Sequence, residues 1–438
     1  MEVKIVSKKF VKPTSPTPQN LRSLPISSND QLAYPLYTRV ILYYAANDQQ
    51  GDTADQQKRR LEESLARVLS LYYPLAGRYM SDEHVIDCND QGVELLETRV
   101  SCELSRILSG DVPVHELYLL TTPGSESPDT PLLIVQLNVF ECGGIAIGFT
   151  NTHRIIDGFT KSLFISGWSV ACGQGMDKVQ CPSFDLGSIF PARDRLPVVY
   201  PAPRKKEGVK IVKNRFLFKE EAITTLKAIA SSANADQCGS SASRFSRGEV
   251  VTALIWMVLI RTSQARNKGK LRPSLLAQPA NLRKVRIPVP PNSCGNFLIL
   301  SNAKFVPTEG KRDVDFAELV RLLHDSVRST INQCAKFMTD DDLVTGVCDA
   351  LNVIGNCCDE VDVCRFSSSC SFPYYEADFG WGKPIWVSGL NALLEQFTLL
   401  MATKDGKGIE AWVNLDENDM LLFQQNPEIV AFTSIPQV

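Results

Sequence analysis

Residues 151–173 read NTHRIIDGFTKSLFISGWSVACG, and the change of period inside this stretch decides the fold. Upstream, PLLIVQLNVF (131–140) and GGIAIGFTNTH (143–153) are apolar runs of strand length. They are joined through ECGG, whose Gly143 and Gly144 supply the turn freedom that a hairpin needs. From Gly158 the apolar residues Phe159, Leu163, Phe164, Ile165 and Trp168 take helical spacing. HRIIDG (153–158) therefore bridges a strand and a buried or half-buried helix, and His153 stands at the far end of the strand.

Outward from this stretch the same mixture recurs. In DQQKRRLEESLARVLSLYYPLAGRY (55–79) the residues Leu61, Leu65, Val68, Leu69 and Tyr72 form an apolar helical stripe that Pro74 closes. A Pro-rich, basic run, FPARDRLPVVYPAPRKKEGVK (190–210), has no periodicity and reads as a crossover linker. Beyond it come a strand in VKIVKNRFLF and a helix from Glu220. Another helix follows, whose Ser246 and Glu249 have capping-box spacing. DFAELVRLLHDSVRSTI (315–331) is a helix with His324 on its polar side, and FTLLMATKDGKGIEAWVNL (397–415) is a pair of strands around a glycine-containing turn. The expected organisation is α/β: an N-terminal domain over 1–190, a linker over 191–212 and a C-terminal domain over 213–438. A chain of 438 residues suits two domains of about 200 residues each.

Composition excludes several classes. Charged residues make up 22% of the chain and the formal net charge is -3, with no long block of one sign, so no nucleic-acid footprint is expected. The start, MEVKIVSKKF, has no apolar stretch of signal-peptide length behind its lysines, and no run approaches the length of a membrane span, which leads to the expectation of a cytoplasmic protein without a membrane partner. The thirteen cysteines lie mostly in apolar runs and suit reduced thiols; Cys142 and Cys172, the nearest to His153 along the chain, look packed. The cluster of Cys357, Cys358, Cys364 and Cys370 has no CxxC pair and no nearby histidine, so no metal site is expected.

The chain has only four histidines, and one of them sits at a strand end, four residues before an aspartate. An imidazole is basic yet neutral near pH 7, which suits it to take a proton from a hydroxyl. A lone histidine is equally a common structural residue. Asp157 can orient the ring, cap the new helix or pair with a distant arginine, and spacing does not choose among these. GWSVA around Ser169 lacks the second glycine of a nucleophile elbow and lies inside a helix. GQG (173–175) and GKG (406–408) lack the remaining residues of a nucleotide-binding loop. In DFGWGKP (378–384) an acid precedes two glycines and a tryptophan, which by itself reads as a tight loop around an aromatic plug.

Taken in order, SPTPQNL (15–21), YYPLAGR (72–78), HRIIDG, NLRKVRIPVP (281–290), CGN (294–296) and DFGWGKP cover essentially the whole chain. In this it resembles the BAHD acyltransferases of plant specialised metabolism, near the branch that acetylates alkaloids and related polycyclic alcohols. The resemblance implies two domains related to chloramphenicol acetyltransferase with a channel between them. It implies transfer of an acyl group, acetyl or small and branched, from coenzyme A to a hydroxyl of an apolar metabolite such as an alkaloid, terpenoid or naphthoquinone. The enzyme is then a monomer with no permanent cofactor, and acyl-CoA is a co-substrate. By resemblance His153 is the general base. Asp157 pairs with Arg283 as structural support, and Asp378 with Trp381 supports the loop beside the CoA path. The start of the helix at Ser246 is a candidate for CoA phosphate, since helix N-termini favour anions. Where many relatives carry a tryptophan and an arginine before DFGWG, this chain has Ser369 and Ser371, which speaks against an acidic acceptor. The rivals are an idle binding protein on the same fold and a member that uses an aromatic acyl-CoA.

Overall fold

The computed structural model describes residues 1–46, 54–125, 127–196, 208–232, 245–285, 289–390 and 394–434. Among them the strands form two large mixed sheets with helices packed against them, so the expected α/β class with two domains is what the chain adopts. The first sheet runs Val3–Val11, Val93–Val100, Leu133–Phe140, Ile145–Thr152, Tyr37–Tyr44, Trp386–Gly389 in spatial order. The second runs Leu298–Phe305, Ser274–Asn281, Asp362–Ser368, Phe397–Ala402, Ile409–Asp416, Ile211–Phe218.

The deciding stretch folds as its periods predict. Leu133–Phe140 and Ile145–Thr152 pair antiparallel, with Val139 opposite Ile145, and Gly143 takes a φ of 80° at the turn, a conformation that glycine reaches without steric cost. The helix Gly158–Gly173 starts directly after HRIIDG, with Asp157 as N-cap. It buries Phe164, Ile165 and Trp168 against the helix Ala54–Leu69, whose Leu61, Leu65, Val68 and Leu69 are buried in the same core. Trp168 meets Phe149 and Phe379 edge to face at 5.8 and 5.0 Å, and its Nε1 donates to Ser64 Oγ at 3.0 Å. Truncating such a side chain costs about 3 to 5 kcal/mol.

One expectation is corrected. DFGWG, assigned from the sequence to the second domain, packs in the first: Phe379, Trp381 and Trp386 lie in the core of the first sheet, and Trp386–Gly389 pairs antiparallel with Tyr37–Tyr44 as its edge strand. The edge strand Tyr37–Tyr44 would otherwise present unpaired backbone groups. The later segment covers it, and Trp386 stacks on Tyr43 at 4.8 Å. A boundary drawn along the chain cannot foresee a strand returned from more than three hundred residues away. Of the expected linker, residues 197–207 lie outside those described, and the strand Ile211–Phe218 begins inside its expected span.

Charged and polar groups fasten the two sheets together. Trp386 Nε1 donates to Glu410 Oε1 at 3.1 Å, and the Arg215 guanidinium lies over the Trp386 ring at 4.5 Å. His324, expected on a polar face, is instead half-buried, with Nδ1 2.8 Å from Glu249 Oε1 and its ring edge-on to Phe245. Among the described residues no cysteine is paired, no His, Cys, Asp and Glu cluster could hold a metal ion, and no helix is long and apolar enough to cross a membrane. Cys142 is exposed at the hairpin turn rather than packed, and Cys172 is partly buried.

Candidate active site

His153 is fixed through its backbone, where the chain leaves the first sheet. Its N–H donates to Leu36 O at 2.8 Å, and its carbonyl accepts from Asn296 Nδ2 at 2.8 Å. Asn296 is itself held by the buried carboxylate of Asp30, whose Oδ1 accepts from the Asn296 backbone at 2.7 Å and from its side chain at 2.9 Å. Burial raises the Asp30 carboxyl above the usual range, and hydrogen bonds from Ser27 and Asn296 oppose this. A contact spanning 266 residues thus sets the height of the imidazole.

Asp157 resolves the three readings its spacing left open. Its Oδ1 accepts from Thr160 N at 2.8 Å as the helix cap, while Oδ2 lies 2.7 Å from Arg283 Nη1. The remaining donors of Arg283 reach Ser293 O at 2.9 Å and Gly295 O at 2.8 Å, and its guanidinium lies over the Phe159 ring at 4.4 Å. Both side chains are nearly inaccessible, 3% exposed for Arg283 and 5% for Asp157. The pair is a buried node between the two halves of the chain, joined by one guanidinium N–H, and no hydrogen bond joins Asp157 to the His153 ring.

Two cavities meet at His153. One, of about 350 Å³, has a mixed wall, the more polar of the two, that includes Arg39, Asp157, Lys161, Asn281 and the serines 367, 368, 369 and 371. The other, of about 180 Å³, is walled mainly by Leu32, Leu36, Leu300, Val347, Leu351 and Phe366. Thr38, His153, Pro279, Leu298 and Ser367 border both. Burial lowers the His153 pKa below its ordinary value, with its own backbone carbonyl and Asp157 opposing. The ring is therefore neutral at pH 7, the state a proton acceptor needs.

The remaining candidates divide. Asp378 Oδ1 accepts from Gly380 N at 2.7 Å and Gly382 N at 3.0 Å, closing its loop. Trp381 is stacked on Phe379 at 5.7 Å. Neither borders a cavity at His153. Gly173, at the end of the helix that follows HRIIDG, abuts this loop so closely that a Cβ there would stand 2.9 Å from Asp378 O. Ser246 forms the expected capping box with Glu249 but lines neither cavity, although the neighbouring Arg247 acts on the thiol of Cys370, which borders the polar one. Ser369 and Ser371 line the polar cavity.

Sequence reasoning passed over Thr38 and Lys161. Lys161 Nζ donates to Thr38 Oγ1 at 2.6 Å, and burial pulls its pKa down to about 7, with Asp157 opposing. A lysine within the apolar run GFTKSLFISGW, one turn beyond Asp157, was the available signal. Asn296 entered only within the CGN motif of the resemblance, without a role, and Asp30 gave no signal, because their pairing is long-range.

Two mixed sheets are thus joined by a buried ion pair, with an imidazole where two cavities meet. The chain belongs to the Transferase family, whose model matches residues 1–430, the BAHD acyltransferases that its motifs resemble. It is 35% identical to acetyl-CoA-benzylalcohol acetyltransferase of Clarkia breweri over 99% of this chain and 100% of that one. It is 34% identical to stemmadenine O-acetyltransferase of Catharanthus roseus over 97% of each. The crystal structure of vinorine synthase superposes with a TM-score of 0.84 at 29% identity, covering all of both chains. The Rauvolfia serpentina vinorine synthase sequence is 33% identical over 95% of each chain.

Proposed function

We propose that this protein is an acyl-CoA-dependent O-acyltransferase that moves a short acyl group, acetyl or small and branched, onto a hydroxyl of an apolar specialised metabolite. Alkaloid, terpenoid and naphthoquinone alcohols are the acceptor classes. The observation that carries the reading is the position of His153, neutral and bordering both the polar and the apolar cavity. Relatives named for acetyl transfer to benzyl alcohol and to stemmadenine support the chemistry and the short donor.

In this reading the acceptor's hydrocarbon body occupies the apolar cavity and the thioester reaches the junction from the polar one. An alcohol is too weak an acid to attack a thioester unaided. As its oxygen bonds to the carbonyl carbon, its proton passes to His153, which avoids free alkoxide and contributes roughly 10² to 10⁴ in rate. Collapse of the tetrahedral intermediate breaks the C–S bond, and His153 returns the proton to the leaving sulfur. The products are an ester and free coenzyme A. Asp157 and Arg283 hold the strand-to-helix turn and take no proton. The monomeric state is taken from the family resemblance.

Transfer is direct, without an acyl-enzyme. A nucleophilic cysteine needs a stabilised thiolate, whereas burial raises the pKa values of Cys370, which borders the polar cavity, and of Cys294, beside the Asp157–Arg283 pair. The test is release of free thiol from acetyl-CoA with a panel of alkaloid, terpenoid, naphthoquinone and benzylic alcohols. Turnover of at least one acceptor with intersecting initial-rate lines is expected. No thiol release across the panel would favour an idle binding protein. Parallel lines with a stable mass gain on acyl-CoA alone would favour a covalent route.

A further inference from the structure

Among the described residues that border the polar cavity, Lys161 is the buried amine that the acyl-transfer reading leaves without a role. It is 8% exposed and enters the cavity wall from the helix that follows HRIIDG. One N–H of its ammonium is placed on Thr38 Oγ1 at 2.6 Å. Thr38 in turn donates to Asn151 Oδ1 at 3.2 Å, so the hydroxyl's only hydrogen is taken. An ammonium has three donors, so the bond to Thr38 leaves two others on a residue of the cavity wall.

Among the described residues that line this cavity, no anion is free to meet that charge. Asp157, one turn back, is held by Arg283 and Thr160 N. The other titratable or charged groups around this cavity are Arg39, His153, Cys370 and Tyr374. Arg39 is a second cation, and burial raises both Cys370 and Tyr374 so that neither is an anion. A buried cation without a bonded anion is costly, and a site that keeps one gains if the anion arrives only during reaction.

We propose that Lys161 is a second catalytic residue, donating a hydrogen bond from Nζ to the thioester carbonyl oxygen as it becomes an oxyanion. The proposal rests on the acyl-transfer reading and on the meeting of both cavities at His153 and Thr38. No proton is transferred by Lys161. The lysine stays protonated while the acceptor's proton travels to His153 and on to sulfur, so the overall reaction is unchanged. Donors preset toward an oxyanion act mainly on kcat, because the charge exists only in the transition state and the intermediate.

The mechanism sets opposite protonation requirements. His153 must be neutral, so the rate rises with pH through its lowered pKa. Lys161 must be charged, so the rate falls as pH rises through about 7. The experiment measures kcat and KM against pH for the wild type, Lys161→Met and Thr38→Val, with acetyl-CoA and the acceptor turned over fastest in the panel above. Thermal melting serves as the check on folding. Lys161→Met should lower kcat about 10² to 10³-fold, leave the KM for acetyl-CoA nearly unchanged, and lose the alkaline limb while keeping the acid one. Thr38→Val, which releases the lysine without removing it, should lower kcat less and shift the alkaline limb.

A wild-type profile without an alkaline limb near pH 7 overturns the proposal whatever the variants do. So does a folded Lys161→Met enzyme that keeps its kcat, or one that loses only affinity for carboxylate-bearing acyl donors, which would make Lys161 a ground-state anchor. Failure of the His153 reading is separate: it would show as a missing acid limb in both wild type and variant.

Discussion

Asp157 and Asp378 occupy similar short motifs, each an acid followed by glycine within four residues, yet the two loops are held in different ways. Asp157 caps a sixteen-residue helix and binds a buried guanidinium. Asp378 is only partly buried and ties two backbone N–H groups of its own loop. The difference lies in what each carboxylate leaves behind when removed. Without Asp157, Arg283 becomes a buried, uncompensated cation across the seam between the two halves of the chain. Without Asp378, two amides near the surface turn to water. The first motif therefore couples the fold to the position of His153, and the second is local reinforcement that reaches the site through packing on the following helix, at Gly173 and Trp168.

The sharpest way to break this comparison is to remove the ion pair. Asp157→Ala and Arg283→Ala should each cost about 3 to 5 kcal/mol of stability, read by denaturant unfolding, with turnover falling alongside. The double variant should cost much less than the sum, because coupled partners do not add. Strict additivity would dissolve the pair. Asp378→Ala should cost about 1 to 3 kcal/mol, with KM for acyl-CoA little altered; an effect as large as that of Asp157→Ala would erase the distinction. Smallest is Ser246→Ala, worth about 1 kcal/mol as a lost cap. A marked rise in KM for acyl-CoA with unchanged melting would instead give Ser246 a part in holding the cofactor's phosphates.

How much of this was legible along the chain follows from the range of each interaction. The hairpin, the helix after HRIIDG and the cap at Ser246 depend on neighbours within a few residues, and the period of apolar side chains exposes them. The stripe Leu61, Leu65, Val68, Leu69 is buried as its spacing predicts. Arg283 entered through family resemblance, since no local pattern links it to a residue 126 positions earlier. The edge strand Trp386–Gly389 crossed the expected domain boundary because strand pairing has no local signature of its partner. Lys161 was hidden for a different reason. One lysine in an apolar helix reads as a solvated edge, and only the fold shows that its amine ends at Thr38 inside a cavity.

The central claim is that His153 takes the acceptor's proton where the two cavities meet, and His153→Ala tests it most directly. With wild-type melting and acyl-CoA affinity retained, the account predicts a loss of turnover of about 10² to 10⁴-fold and disappearance of the acid limb of the pH profile. A folded His153→Ala enzyme that turned over near the wild-type rate, with the acid limb still present, would contradict it.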